Sequence, residues 1–141
     1  MIALAVLAIV IVATLGVGVI LRTRAGKIRA SSPKGAGQEH PVDPALAAVG
    51  VGGGVPVILH FSAPWCGPCA SVRRVIARVL GDTSGEALDV ELDLDENPLP
   101  ARQLGVMSLP TTFVFDTAGR ERYRVSGVPE AADLRAALAS L

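Results

Sequence analysis

No charged side chain occurs in the first 21 residues, and from Ile2 the run IALAVLAIVIVATLGVGVIL is apolar all round any helix drawn through it. At about 1.5 Å per residue, a helix of about 20 residues matches the roughly 30 Å hydrocarbon core of a bilayer. A helix apolar on every side needs a bilayer or a large protein core around it. The remaining chain is too small to supply such a core. Gly16 and Gly18 weaken a helix in water but are common in membrane helices. Nothing basic precedes the run and Arg22 and Arg24 follow it at once, the reverse of a cleaved signal peptide. Residues 1–21 are therefore expected to form an uncleaved transmembrane anchor.

Further on the period changes. Asp43, Pro44 and the following ALAAVG supply an N-cap, a proline for the first turn and a short helix ended at Gly50. The run VPVILHF (55–61) is β-branched and almost wholly apolar, as in a strand covered on both faces. In ASVRRVIARVL (70–80), Val72, Val75, Ile76 and Val79 recur at helical spacing while Arg73, Arg74 and Arg78 fall largely outside that stripe. ALDVELDL (87–94) alternates apolar and acidic residues with the period of a strand. Residues 97–105 suggest a short irregular helix, 111–116 a strand, 117–120 a turn, 121–126 a returning strand and 129–141 a closing helix with Leu134, Leu138 and Leu141 inward. The first two strands join through a right-handed crossover and the last two form a hairpin. The pattern predicts an α/β fold with a four-stranded mixed sheet and helices on both faces.

Charge divides the chain again. Between 22 and 38 lie Arg22, Arg24, Lys27, Arg29 and Lys34 with no acid. Lys and Arg favour the cytoplasmic side of a membrane, so a single pass with the body in the cytoplasm is expected. ASSPKGAGQEHPVDP (30–44) lacks an apolar run and reads as a linker. The organisation expected is thus an anchor at 1–21, a basic flank and flexible linker at 22–43, and one folded domain at 44–141. From Glu39 onward eight Arg face thirteen acidic residues, which argues against nucleic acid as a partner.

Cys66 and Cys69 are the only cysteines of the 141 residues. Two cysteines this close restrain little chain and read as a reactive pair. They sit in Trp65-Cys66-Gly67-Pro68-Cys69, where a strand gives way to a helix. At or just before the helix N-terminus, unpaired N–H groups and the helix dipole favour an anion. That lowers the Cys66 pKa and makes its thiolate the nucleophile. Cys69, one turn on, can close onto Cys66 with little backbone movement. Pro68 fixes φ early in the helix, where its missing N–H costs nothing. The competing reading, half of a zinc site, needs four ligands. Only His40, in the linker, and His60, in a strand, could add nitrogen, and they form no paired motif, so no metal is expected. Asp93, Asp95 and Glu96 read as a solvated strand end ahead of a cation site.

WCGPC (65–69), the preceding VILHFSAP (57–64), the Leu109-Pro110-Thr111 step and Gly127 before the last helix together resemble the thioredoxin family over about 55–141. The resemblance implies a thioredoxin-like fold and reduction of protein disulfides through Cys66, with Cys69 resolving the mixed disulfide. It implies a cis Pro110 facing the cysteines, and substrate contact by Trp65, Gly67, Pro68, Leu109, Pro110 and Gly127. It also implies electrons from an upstream reductase and no bound cofactor, since the two sulfurs carry the chemistry. Three positions depart from the family. Its usual buried Asp is His60 here, and the Lys that partners that Asp is Glu91, so His60 oriented by Glu91 becomes a candidate base toward Cys69. A helix proline is replaced by Arg74. The family's first strand has no clear counterpart before Pro44, which leaves four strands or five. Two other functions stay open: an oxidant or isomerase outside the membrane, and a docking module at the membrane with incidental redox chemistry.

Overall fold

The computed structural model describes residues 2–24, 26–31, 42–82 and 87–141. Its first element, α1 (Ile2–Arg24), is a helix of 23 residues. Apolar side chains stand exposed around it, Ile2 at 83%, Val12 at 70% and Ile9 at 68%. Among the described residues no helix is long and apolar enough to cross a membrane.

The body is a five-stranded mixed sheet in the order β1-β5-β4-β2-β3. Its strands are β1 (Arg29–Ala30), β2 (Val57–Ser62), β3 (Leu88–Asp93), β4 (Thr111–Phe115) and β5 (Glu121–Ser126). Helices α2 (Pro44–Ala47), α3 (Cys69–Asp82), α4 (Pro98–Gln103) and α5 (Ala131–Ala139) connect and flank them. β2 and β3 run parallel, with α3 as their crossover, and β4 and β5 form the antiparallel hairpin. All six residues of β2 are buried, which is why that run shows no alternation.

The two faces of the sheet hold separate apolar clusters. Val57, Leu59, Phe61, Phe113 and Phe115 face α2 and α4 with Leu46 and Ala101. Ile58 and Val114 face α3 and α5 with Val72, Ile76, Val79 and Leu134. The helical stripe expected on α3 is thus the buried one, with Val75 at its margin. Asp43 caps α2 as expected, its side chain accepting from Ala45 N.

The strand count left open is settled at five, and one sequence expectation is corrected. The sheet has a fifth strand, and it comes from the segment read as flank and linker. Arg29 and Ala30 pair antiparallel with Arg124 and Tyr123. Gly26 N donates to Ser126 O at 2.8 Å and Ser31 N to Arg122 O at 2.9 Å. Ser31 Oγ also donates to Glu121 Oε1. Ile28 packs onto the α3–α5 cluster. A flexible linker over all of 22–43 is therefore wrong for 26–31, because that stretch satisfies the outer edge of β5. Residues 32–41, including His40, lie outside the described residues.

Candidate active site

The loop after β2 carries the cysteines. Cys66 N donates to Ala63 O, and Cys69 N to Cys66 O at 3.3 Å. Helix α3 begins at Cys69, so Cys66 lies in the turn before it. Pro68 is the residue just outside the helix, its carbonyl accepting from Ser71 N and Val72 N. This moves Pro68 from the expected early helical position to a capping one, where its missing N–H is equally harmless. The N–H groups of Cys69 and Ser71 at this helix start are turned to the carbonyls of Cys66 and Pro68, and the helix dipole favours a thiolate nearby.

Cys66 and Cys69 are joined by a disulfide with Cα atoms 5.6 Å apart. The two sulfurs differ in access. Cys69 is 2% exposed and its Sγ lies 4.0 Å from Phe61 O. Cys66 is half-buried and flanked by exposed Gly67 and Trp65. Trp65 is 68% exposed, its Nε1 reaching Asp95 Oδ2 at 3.4 Å. An attacking group can therefore reach the first sulfur more readily than the second.

The sheet brings the remaining expected residues to the same end. Phe61 pairs with Thr111, and Thr111 with Ser126. Pro110 is thus level with the end of β2, where the cysteine loop starts. The Leu109–Pro110 peptide is cis. Gly127 N donates to Pro110 O at 2.8 Å, and Gly127 has φ 96°, a backbone conformation that favours glycine.

His60 is placed as expected but partnered differently. It is 1% exposed and shares a strand face with Ile58, the face toward α3, whose first residue is Cys69. Its Nε2 lies 3.2 Å from Asp89 Oδ1. Glu91 is its register partner yet does not orient it. Glu91 accepts from Arg73 Nε and Nη2 at 2.6–2.9 Å. A bidentate guanidinium fork outcompetes an imidazole for a carboxylate. Arg73 holds the Glu91 carboxyl down at about 2, against the opposing effect of burial, with Ser62 and His60 assisting.

Two further groups here escaped the sequence reading. Asp89 looked like one of several surface acids in an alternating strand. Thr112, in register with His60, is fully buried and its Oγ1 has no hydrogen-bond partner among the described residues. Only the strand register could have singled out either residue. Asp93 Oδ1 accepts from Asp95 N and Glu96 N, so that acid trio contains a turn closing the end of β3.

Residues 52–140 match the family model for thioredoxin. Thioredoxin of Synechocystis sp. is 40% identical over 76 residues, which cover 54% of this chain and 71% of that protein. Thioredoxin 1 of Synechococcus elongatus is 38% identical over 76 residues, with the same coverage of both chains. Among solved structures, chloroplastic thioredoxin z superposes with a TM-score of 0.60 at 28% identity, covering 70% of this chain and 89% of that one.

Proposed function

The chain belongs to the thioredoxin family, and we propose that it works as a membrane-anchored reductase of protein disulfides. Its thiol–disulfide oxidoreductase chemistry rests on the Cys66–Cys69 pair, closed as a disulfide. The unequal access of the two sulfurs carries the assignment of roles. In the reduced protein, Cys66 thiolate attacks one sulfur of a target disulfide. A mixed disulfide forms and the target's other sulfur leaves as a thiolate, which takes up a proton. Cys69, once deprotonated, attacks Cys66 Sγ. The target's second sulfur leaves with the electron pair, and Cys66–Cys69 is closed again. The target gains two electrons from the protein and two protons, one given up by Cys69 and one taken from solvent. A dithiol reductase upstream restores the pair, and no bound cofactor is needed.

Substrate would lie across Trp65, Gly67, Pro68, Leu109, Pro110 and Gly127. Among the described residues no backbone partner engages Leu109, which leaves its N–H and C=O for an extended target strand. His60 serves as the base toward Cys69, oriented by Asp89 in place of Glu91. Asp89 Oδ1 lies 3.2 Å from Nε2, which leaves Nδ1 as the ring nitrogen free to accept a proton.

Anchoring is supported by the composition and exposed apolar surface of α1, whose 23 residues would extend roughly 35 Å. The five cations after the run support a cytoplasmic body. Reduction of insulin disulfides, with a dithiol donor present, tests the chemistry. Cys66→Ser should abolish it, while Cys69→Ser should trap the mixed disulfide. Undiminished biological function of Cys66→Ser would favour the docking module. Carbonate extraction of membranes tests the anchor. Labelling of Cys66 in intact cells by an impermeant thiol reagent would reverse the topology and favour the oxidant or isomerase reading.

A further inference from the structure

Beside Leu109 and Gly127 the surface opens into a cavity of about 450 Å³ whose wall includes Lys27, Arg29, Arg124 and Ser108. Among the described residues no acid lines it, although the body from Glu39 onward carries thirteen acids against eight Arg. The cations are brought together by strand pairing. Arg29 is in register with Arg124 on the neighbouring strand. Lys27 and Arg29 are two residues apart and so share a face, while Ile28 turns the other way into the core. Arg124 is committed, held by Glu121 and stacked 4.6 Å over the Phe113 ring. Lys27 and Arg29 are exposed, and among the described residues neither has an ion-pair partner.

We propose that Lys27 and Arg29, just before and on the added edge strand, form a specificity surface, which selects target segments bearing acidic residues a few positions from the disulfide. The inference deepens the disulfide-reductase reading and rests on it. Three inter-strand spacings of about 4.8 Å separate β2, which leads to Cys66, from β1. A target strand crossing the sheet end covers that distance in about four residues at roughly 3.3 Å each. The acid therefore belongs about three to five residues to one side of the attacked cysteine. The attraction is exposed, so it acts mainly on encounter and weakens with salt.

The test uses the full chain, reduced and held in detergent, with synthetic peptides each closed by one disulfide. Within a set, only the residues three to five positions from either cysteine change, from Glu to Gln to Lys. At low salt the Glu peptide should be reduced about fivefold faster than the Lys peptide, and the gap should narrow at high salt. The double variant Lys27→Glu, Arg29→Glu should invert the order, with the Lys peptide now faster. An inverted preference is a gain that a misfolded variant cannot produce. No preference in the parent protein, or one that the double variant keeps, overturns the proposal. Hydroxyethyl disulfide, small and uncharged, separates the two readings in the parent protein. If it too is not reduced, the exchange chemistry itself fails and the selectivity proposal falls with it.

Discussion

His60 is fully enclosed, yet its ring meets a carboxylate that is itself 40% exposed. Asp89 thus links a buried imidazole to solvent, as a proton route to a buried thiol requires. His60→Ala should slow resolution of the mixed disulfide by about a hundredfold and leave the first attack by Cys66 little changed. Stopped-flow rates for the two steps, equal in variant and parent, would assign His60 to packing alone. Asp89→Asn should slow the resolving step less than His60→Ala does, read from the same stopped-flow rates. The Arg73–Glu91 pair makes a different prediction, about stability. Glu91 has its carboxyl lowered to about 2 from an ordinary 4.5. Its contribution is complete above the ordinary value and is lost as pH falls toward 2. Arg73→Gln should raise the midpoint of acid unfolding slightly, since the guanidinium is half exposed and such pairs are weak. Superimposable acid-unfolding curves for variant and parent would show that the pair adds nothing. Asp116 illustrates the stronger case. Burial pushes its carboxyl up, but the Arg120 backbone N–H and the Arg120 and Arg122 side chains outweigh that and hold it below its usual value.

Among the elements, the long runs were legible because burial marks six or more residues, as an unbroken apolar run where both faces are covered and as a periodic stripe where one is. The strand VILHFS and the stripe on α3 are of this kind. β1 has two residues, both exposed, and two residues carry no period. Its existence depends on the unfilled outer edge of β5, which is a property of the assembled sheet. The same limit hid the partners of His60 and Glu91. Side chains two positions apart on β3 exchange roles once Arg73 arrives from α3, and no spacing within one strand encodes that. Conversely, the cysteine pair and the step at Pro110 were legible because their chemistry is concentrated in a few consecutive residues. Gly26 is the hinge on which β1 depends. Its φ is 81°, and a Cβ there would run into the Val128 carbonyl oxygen. Gly26→Val should lower unfolding free energy by about 1–3 kcal/mol, read by denaturant titration. An unchanged midpoint would mean that β1 detaches at no cost.

For the molecule as a whole, the boundary of the folded unit moves to Gly26, although the family match starts at 52. A chain beginning at Gly26 should fold, stay in solution and reduce insulin. One beginning at Val42 loses the pairing of β1 and the burial of Ile28, so it should melt several degrees lower. Equal melting temperatures for the two would return residues 26–31 to the status of a tether. The closing of β5 by residues adjacent to α1 has a mechanical outcome as well. Arg24, the last residue of α1, and Gly26, bonded to Ser126, are two positions apart in the sequence, so their Cα atoms stand within about 7 Å of each other. Ser126 lies at the sheet end that bears Pro110 and the cysteine loop. Whatever holds α1 therefore keeps the sulfurs close by, and the protein hunts within a narrow radius instead of sweeping a wide volume.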